Sequence, residues 1–207
     1  MRFFGADPDL HVLSLAEVDE HGIVRGVYVD RVPKALKGLE ALEAASRAWS
    51  RLFSLVGYSG DEARCAVEMP DCSYTHRTGA RVSDVGNLSA MSGIVLQASR
   101  AWVDDAVLVH PAKWKGQVPK HIHQVRTLTK AGVAYQMRGG ASPESQYPVP
   151  TGYGQFVKTG KVNEGDWKDI NDSIGLAIYA RDLWLTEQRR KKWAPCNLSE
   201  LADRLEA

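Results

Sequence analysis

Cysteine is scarce in this 207-residue chain: there are three, Cys65, Cys72 and Cys196, and no Cys-x-x-Cys spacing. An odd, unpaired set argues against a disulfide framework, so reduced thiols are the expectation. Long apolar runs are also missing, and nothing approaches the roughly 18 residues that span a bilayer. The opening MRFFGADPDLHVL reaches acids too early for a secretory signal, which makes a cytoplasmic protein without membrane contact the expectation. Acid is absent from Ala106 to Pro143, where Lys113, Lys115, Lys120, Arg126, Lys130 and Arg138 all fall. The first thirty residues lean the other way, with six acids (Asp7, Asp9, Glu17, Asp19, Glu20, Asp30) against Arg2 and Arg25. At a net charge of +1, such separation lets a near-neutral protein hold a polyanion on one face, although an ordinary solvated surface also explains it.

A hydrophobic share of 44% and a charged share of 25% suit a globular chain, read as a single domain over residues 1–207. The runs RFFGA, HVLSLAEVD and GIVRGVYVDRV, parted by the turn residues Glu20-His21-Gly22, predict three strands joined by tight turns. Leu36, Leu39, Leu42, Ala45, Trp49, Leu52 and Phe53 recur at helical spacing between Pro33 and Val56. RCAVEMP and DAVLVHP predict short strands stopped by proline. Between them, Ser83 or Asp84 is expected to cap a helix from about Val85 to Val103. A further helix is expected from Pro119 to Lys130, and a last one from Trp167 to Trp193, ending in cations that suit a helix C-terminus. The Gly/Pro-rich segment at about 132–165 holds no long element; it reads as an insertion. Its aromatics Tyr135, Tyr147, Tyr153 and Phe156 alternate with Arg138, Lys158 and Lys161, which leaves two readings: contact with nucleic acid, or anchoring of the loop to its own domain.

The stretch DWKDINDSIGLA poses the main question. It reads as a buried helix, yet opens with Asp166, Asp169 and Asp172. Residues three apart are neighbours on a helix, so Asp169 and Asp172 repel and need compensation. The helix N-terminus is one source and a bound divalent cation is another. In the order β-β-β-α-β-α-β-α-loop-α, Asp7 closes the first strand and Glu68 the fourth. Carboxyl ends of strands in α/β sheets are where ligands are met, and a helix crossing that edge brings Asp169 and Asp172 to them. Four hard oxygen donors suit magnesium or manganese. Two such ions, about 3.5–4 Å apart, can hydrolyse a phosphodiester. Each acid alone has an ordinary explanation as a turn former or a first-turn helix acid; the four together are less easily accidental.

FFGADPDL, CAVEMP, DINDSIGLA and VHPAKWKGQVPKHIHQVR, taken in order, resemble the RuvC family of Holliday-junction resolvases, especially its phage-encoded relatives, within the ribonuclease-H-like superfamily. The resemblance covers most of the chain except the insertion. It implies an α/β fold with a mixed five-stranded sheet flanked by helices. It implies that Asp7, Glu68, Asp169 and Asp172 ligate two Mg2+ per active site, Mn2+ substituting, with Asp7 bridging both. Lys115 and Lys120 would lie near the scissile phosphate, with Lys113 and Arg126 on the same surface, and Tyr74, Arg77 and Arg81 against DNA near the crossover. The implied partners are a four-way DNA junction and a second copy of the chain, since paired nicks call for two-fold related sites. A less selective branched-DNA nuclease and a junction-binding protein with little catalysis are the alternatives.

The chain departs from the family pattern at Asp9, an added charge beside the acids, and at Asn171, expected to point outward. His121 and His123 do not share a helical face and His110 is alone, which argues against zinc. Trp114 is expected to be a packing anchor between basic side chains.

Overall fold

Alternation along two strands divides the interior into two halves. In the computed structural model, which describes residues 1–9, 11–57, 62–70, 82–116 and 118–193, the first strand is β1 (Arg2–Asp7). Phe3 faces one core cluster, Phe4 and Ala6 the other. Strand β4 (Ala63–Glu68) repeats the division, with Ala66 on the first side and Cys65 and Val67 on the second. Side chains two apart share a face, so Asp7 and Glu68 end on the first side.

Strands β2 (Val12–Asp19) and β3 (Val24–Arg31) continue from β1 as an antiparallel meander, as the three apolar runs predict. Strand β4 pairs parallel with β1, and β5 (Asp105–Val109) parallel with β4. The sheet does not stop at five strands. Residues Gln146–Pro150 form β7, which pairs with β6 (Tyr135–Gly139) in a separate hairpin, and β8 (Val157–Thr159) adds in parallel to β3. The main sheet therefore has six strands in the order β5-β4-β1-β2-β3-β8. Three residues are too few for alternation to announce a strand, and β8 exists because β3 offers it an edge.

The second core cluster is covered by helix α1 (Gly38–Val56), which buries Ala41, Ala45, Ala48, Trp49, Leu52 and Phe53, and by α2 (Val82–Ser99), which buries Met91 and Val95. Two details differ from the sequence reading. Leu39 is 71% exposed at the start of α1, and α2 begins at Val82, placing Ser83 and Asp84 inside its first turn instead of at a cap. The first cluster lies under α3 (Pro111–Trp114), α4 (Lys120–Lys130) and the long α5 (Trp167–Trp193).

Helix α5 lies directly on β1 because Gly5 has no side chain. A Cβ there would lie 2.0 Å from Ser173 O and 2.3 Å from Ala177 N, both backbone atoms of α5. Ser173 completes the contact, its Oγ 2.5 Å from Ser14 Oγ and donating to Ser14 O at 2.9 Å. A second glycine, Gly175, admits the Trp114 ring, whose Cζ3 would lie 2.4 Å from a Cβ at that position. Trp114 is the packing anchor expected: its ring meets His123 edge-on at 4.8 Å and Lys115 Nζ lies 4.5 Å above it. In the insertion, Tyr135, Tyr147, Tyr153 and Phe156 all pack against the first cluster, the contact that the anchoring reading expects.

Candidate active site

Because Gly5 faces α5, Asp7 two residues on faces it too, one turn nearer the helix start where Asp169 and Asp172 lie. The β1–β4 register pairs Ala6 with Val67, which sets Asp7 beside Glu68 at the neighbouring strand end. Asp7, Glu68 and Asp172, from three distant segments, thus meet at one edge of the sheet, with Asp169 one helical turn before Asp172. Asp7 is partly buried at the end of its strand. Burial, then the negative charges of Glu68 and Asp172, holds its carboxyl well above the usual range. Burial likewise raises Glu68 against the pull of Lys115, and raises Asp169 against that of Lys120.

Asp172 behaves oppositely. Burial would raise it, yet Lys115, Lys120 and a hydrogen bond from Gln124 together hold it below the ordinary value. Strand β5 delivers the first cation: Met69 N–H donates to Val109 O, and His110 caps α3 by accepting from Ala112 N–H at 3.2 Å. Lys115, directly after α3, then places Nζ 2.9 Å from both Glu68 Oε2 and Asp172 Oδ2. Lys120, first residue of α4, lies 3.1 Å from Asp172 Oδ2 and 3.7 Å from Asp169 Oδ1. Neighbouring acids raise both ammonium groups although burial acts the other way. Both lysines are therefore cations sitting between the carboxylates.

Gln124 is the residue that sequence reasoning missed. It is buried, and its Nε2 donates to Asp172 Oδ1 at 2.9 Å and to Lys168 O at 2.6 Å. The signal was present in the sequence, since Gln124 follows Lys120 by one helical turn and so shares its face. Asp166 plays a structural part: it accepts from Asn163 N–H in a capping box and pairs with Arg31. Asp9 spends Oδ1 on the backbone N–H groups of His11 (2.6 Å) and Val12 (3.1 Å). Asn171 does not point outward. It is buried, and Nδ2 donates to Pro148 O at 2.7 Å, because the insertion covers that side of α5. Lys113 is exposed, Arg126 lines a hollow with Trp114, His123 and Asp182, and neither pairs with the four acids among the described residues. Tyr74, Arg77 and Arg81 lie outside the described residues.

Among the described residues, no three acidic, histidine or cysteine side chains are grouped to hold a metal ion as they stand. The lysine ammonium groups take that place. The donor chemistry nevertheless fits magnesium or manganese, being all hard oxygen. Glu68 Oε2 is an acceptor with no hydrogen bond despite its charge contact with Lys115, which leaves a lone pair for a cation.

No family model matches the chain, and no curated protein matches it in sequence. Solved structures do. Thermus thermophilus RuvC in complex with a Holliday-junction substrate superposes with a TM-score of 0.55 at 16% identity, covering 86% of this chain and 91% of that one. A second Thermus thermophilus RuvC structure gives 0.53 at 18% identity, with coverage of 86% and 92%. The chain has a RuvC-like α/β fold with a mixed sheet of six strands.

Proposed function

We propose that this protein is a magnesium-dependent endodeoxyribonuclease that resolves four-way DNA junctions, acting as a homodimer that nicks two opposed strands. The observation that carries the reading is the meeting of Asp7, Glu68 and Asp172, with Asp169 one turn away, beside Lys115 and Lys120 at one sheet edge. It is supported by a fold shared with a protein solved on a Holliday junction. Asp7, Glu68, Asp169 and Asp172 would hold two magnesium ions, for which manganese would substitute. Bound there, the ions would polarise the phosphodiester and lower the pKa of a water.

The remaining work falls to the chain. Gln124 fixes the Asp172 carboxylate through Oδ1, so that Oδ2, which Lys115 and Lys120 hold here, is the oxygen that would face an ion. Lys115 and Lys120 neutralise the acids here, and with ions bound they would be free to pair with the scissile phosphate. Lys113 and Arg126 extend the basic surface along the DNA backbone, and Tyr74, Arg77 and Arg81 are assigned to the crossover. The test is cleavage of a synthetic four-way junction by the wild type and by Asp7→Asn, with linear duplex as competitor. Loss of paired nicking in the variant, and resistance to competition in the wild type, are expected. Equal cutting by both proteins removes Asp7 from the mechanism.

The interleaved lysines favour one other reading, a junction-binding protein with little catalysis. Magnesium titration separates the two: shifted junction without product at every concentration supports the binder.

A further inference from the structure

The insertion does more than cover the start of α5. It grips three residues there. Trp167 is fully buried with its ring 5.5 Å from that of Tyr153. Lys168 places Nζ 4.7 Å over the Tyr147 ring while its carbonyl accepts from Gln124 on the other side. Asn171 donates from Nδ2 to Pro148 O in β7 at 2.7 Å.

Consecutive residues on a helix point about 100° apart. The Asn171 amide therefore faces the insertion while the Asp172 carboxylate faces the lysines. Asparagine is a poor helix former, and of its buried amide only Nδ2 is paired, with Pro148 O, while Oδ1 has no partner among the described residues, so this residue serves the docking of β7 more than the helix itself. Helix ends fray, and Asp169 and Asp172 repel across one turn, so the helix alone does not hold the two carboxylates still.

We infer that the segment between Gly132 and Gly165 is a clamp on the acidic turn of α5, with Asn171 as the positioning residue that transmits its hold to Asp172. The inference rests on the reading of Asp169 and Asp172 as cation ligands. It assigns the insertion a task in ordering the metal site, in addition to its part in the sheet.

The test compares Asn171→Ala and the milder Tyr147→Leu with Leu52→Ala, which loosens the opposite core cluster. Mn2+ affinity is read from the paramagnetic resonance of free Mn2+, at a temperature where circular dichroism shows every variant folded. Amide exchange at residues 168–172 is followed in parallel. Residues that orient metal ligands typically cost about 10–100-fold in metal affinity when removed. A loss of that size is expected in Asn171→Ala, a smaller one in Tyr147→Leu and none in Leu52→Ala, with faster exchange at 168–172 in the first two alone. If the wild type binds Mn2+ and Asn171→Ala binds it equally well, the positioning role is overturned. If the wild type binds none, the metal reading fails, and exchange alone judges the clamp: faster exchange at 168–172 supports it and unchanged exchange overturns it.

Discussion

Replacing Gly5 by alanine adds one methyl group at the closest approach of α5 to the sheet. The new Cβ would lie 2.0 Å from Ser173 O, 2.3 Å from Ala177 N and 2.8 Å from Leu176 C, where ordinary contact begins at 3.4 Å. All three are backbone atoms, so no rotamer change relieves the clash, and α5 must retreat by about 1.4 Å. Overpacking of a filled core costs ~1–3 kcal/mol, and backbone neighbours put this case at the upper end. For a chain of this size each kcal/mol lowers the melting temperature by roughly 2–4 °C, so a drop of about 6–12 °C is expected. The site suffers separately, because Asp172 adjoins Ser173. A misplacement of about 1 Å can cost roughly 100-fold in rate. Thermal denaturation followed by circular dichroism, with junction cleavage well below the melting point, measures both effects. A Gly5→Ala protein that melts with the wild type refutes the close-approach argument.

Three further outcomes follow from named contacts. Lys115→Met strips a cation from Glu68 and Asp172; because Lys115 and Glu68 are part-buried and Lys120 still pairs with Asp172, the loss falls below the ~3–5 kcal/mol of a fully buried pair. The metal-free variant should melt lower than the wild type and gain more from added magnesium; an equal gain means Lys115 does not compete with the ion. Gln124→Met removes the donor 2.9 Å from Asp172 Oδ1 and should weaken Mn2+ binding by about 10–100-fold in titration, whereas unchanged affinity excludes an orienting role. Burial would raise the Asp19 carboxyl, but hydrogen bonds from Ile23, Arg25 and His21 outweigh it and hold the carboxyl below its ordinary value of 3.8. The folded pKa is depressed, so this stabilisation is present above 3.8 and is lost as pH falls through the folded value. Asp19→Asn should therefore melt at a lower temperature than wild type at neutral pH, with the gap narrowing in acid.

The elements that sequence alone disclosed are those with a period to read. The meander, α1 and α5 follow from alternation or from helical spacing, and Asp7 and Glu68 follow from their position at strand ends. What escaped depended on tertiary partners. Strand β8 is three residues long and is defined by β3, not by its own pattern. Asn171 looked like a surface polar residue because nothing local announces that Pro148, twenty-three positions earlier, would supply its acceptor. Gln124 was hidden by type, since a glutamine on a helix ordinarily faces water. The family resemblance put Lys115 and Lys120 near the scissile phosphate, but their placement between the carboxylates is a packing fact that spacing does not encode.

If the proposed function is right, the acids at this sheet edge form a cage for divalent cations that the lysines fill in their stead. Crystals soaked in manganese and recorded at its absorption edge address it directly. Anomalous density is expected against the carboxylate oxygens of Asp7, Glu68, Asp169 and Asp172, with Lys115 Nζ moved away from its positions 2.9 Å from Glu68 and Asp172. Soaked crystals with no anomalous density there, and Lys115 still bridging the two acids, would contradict it.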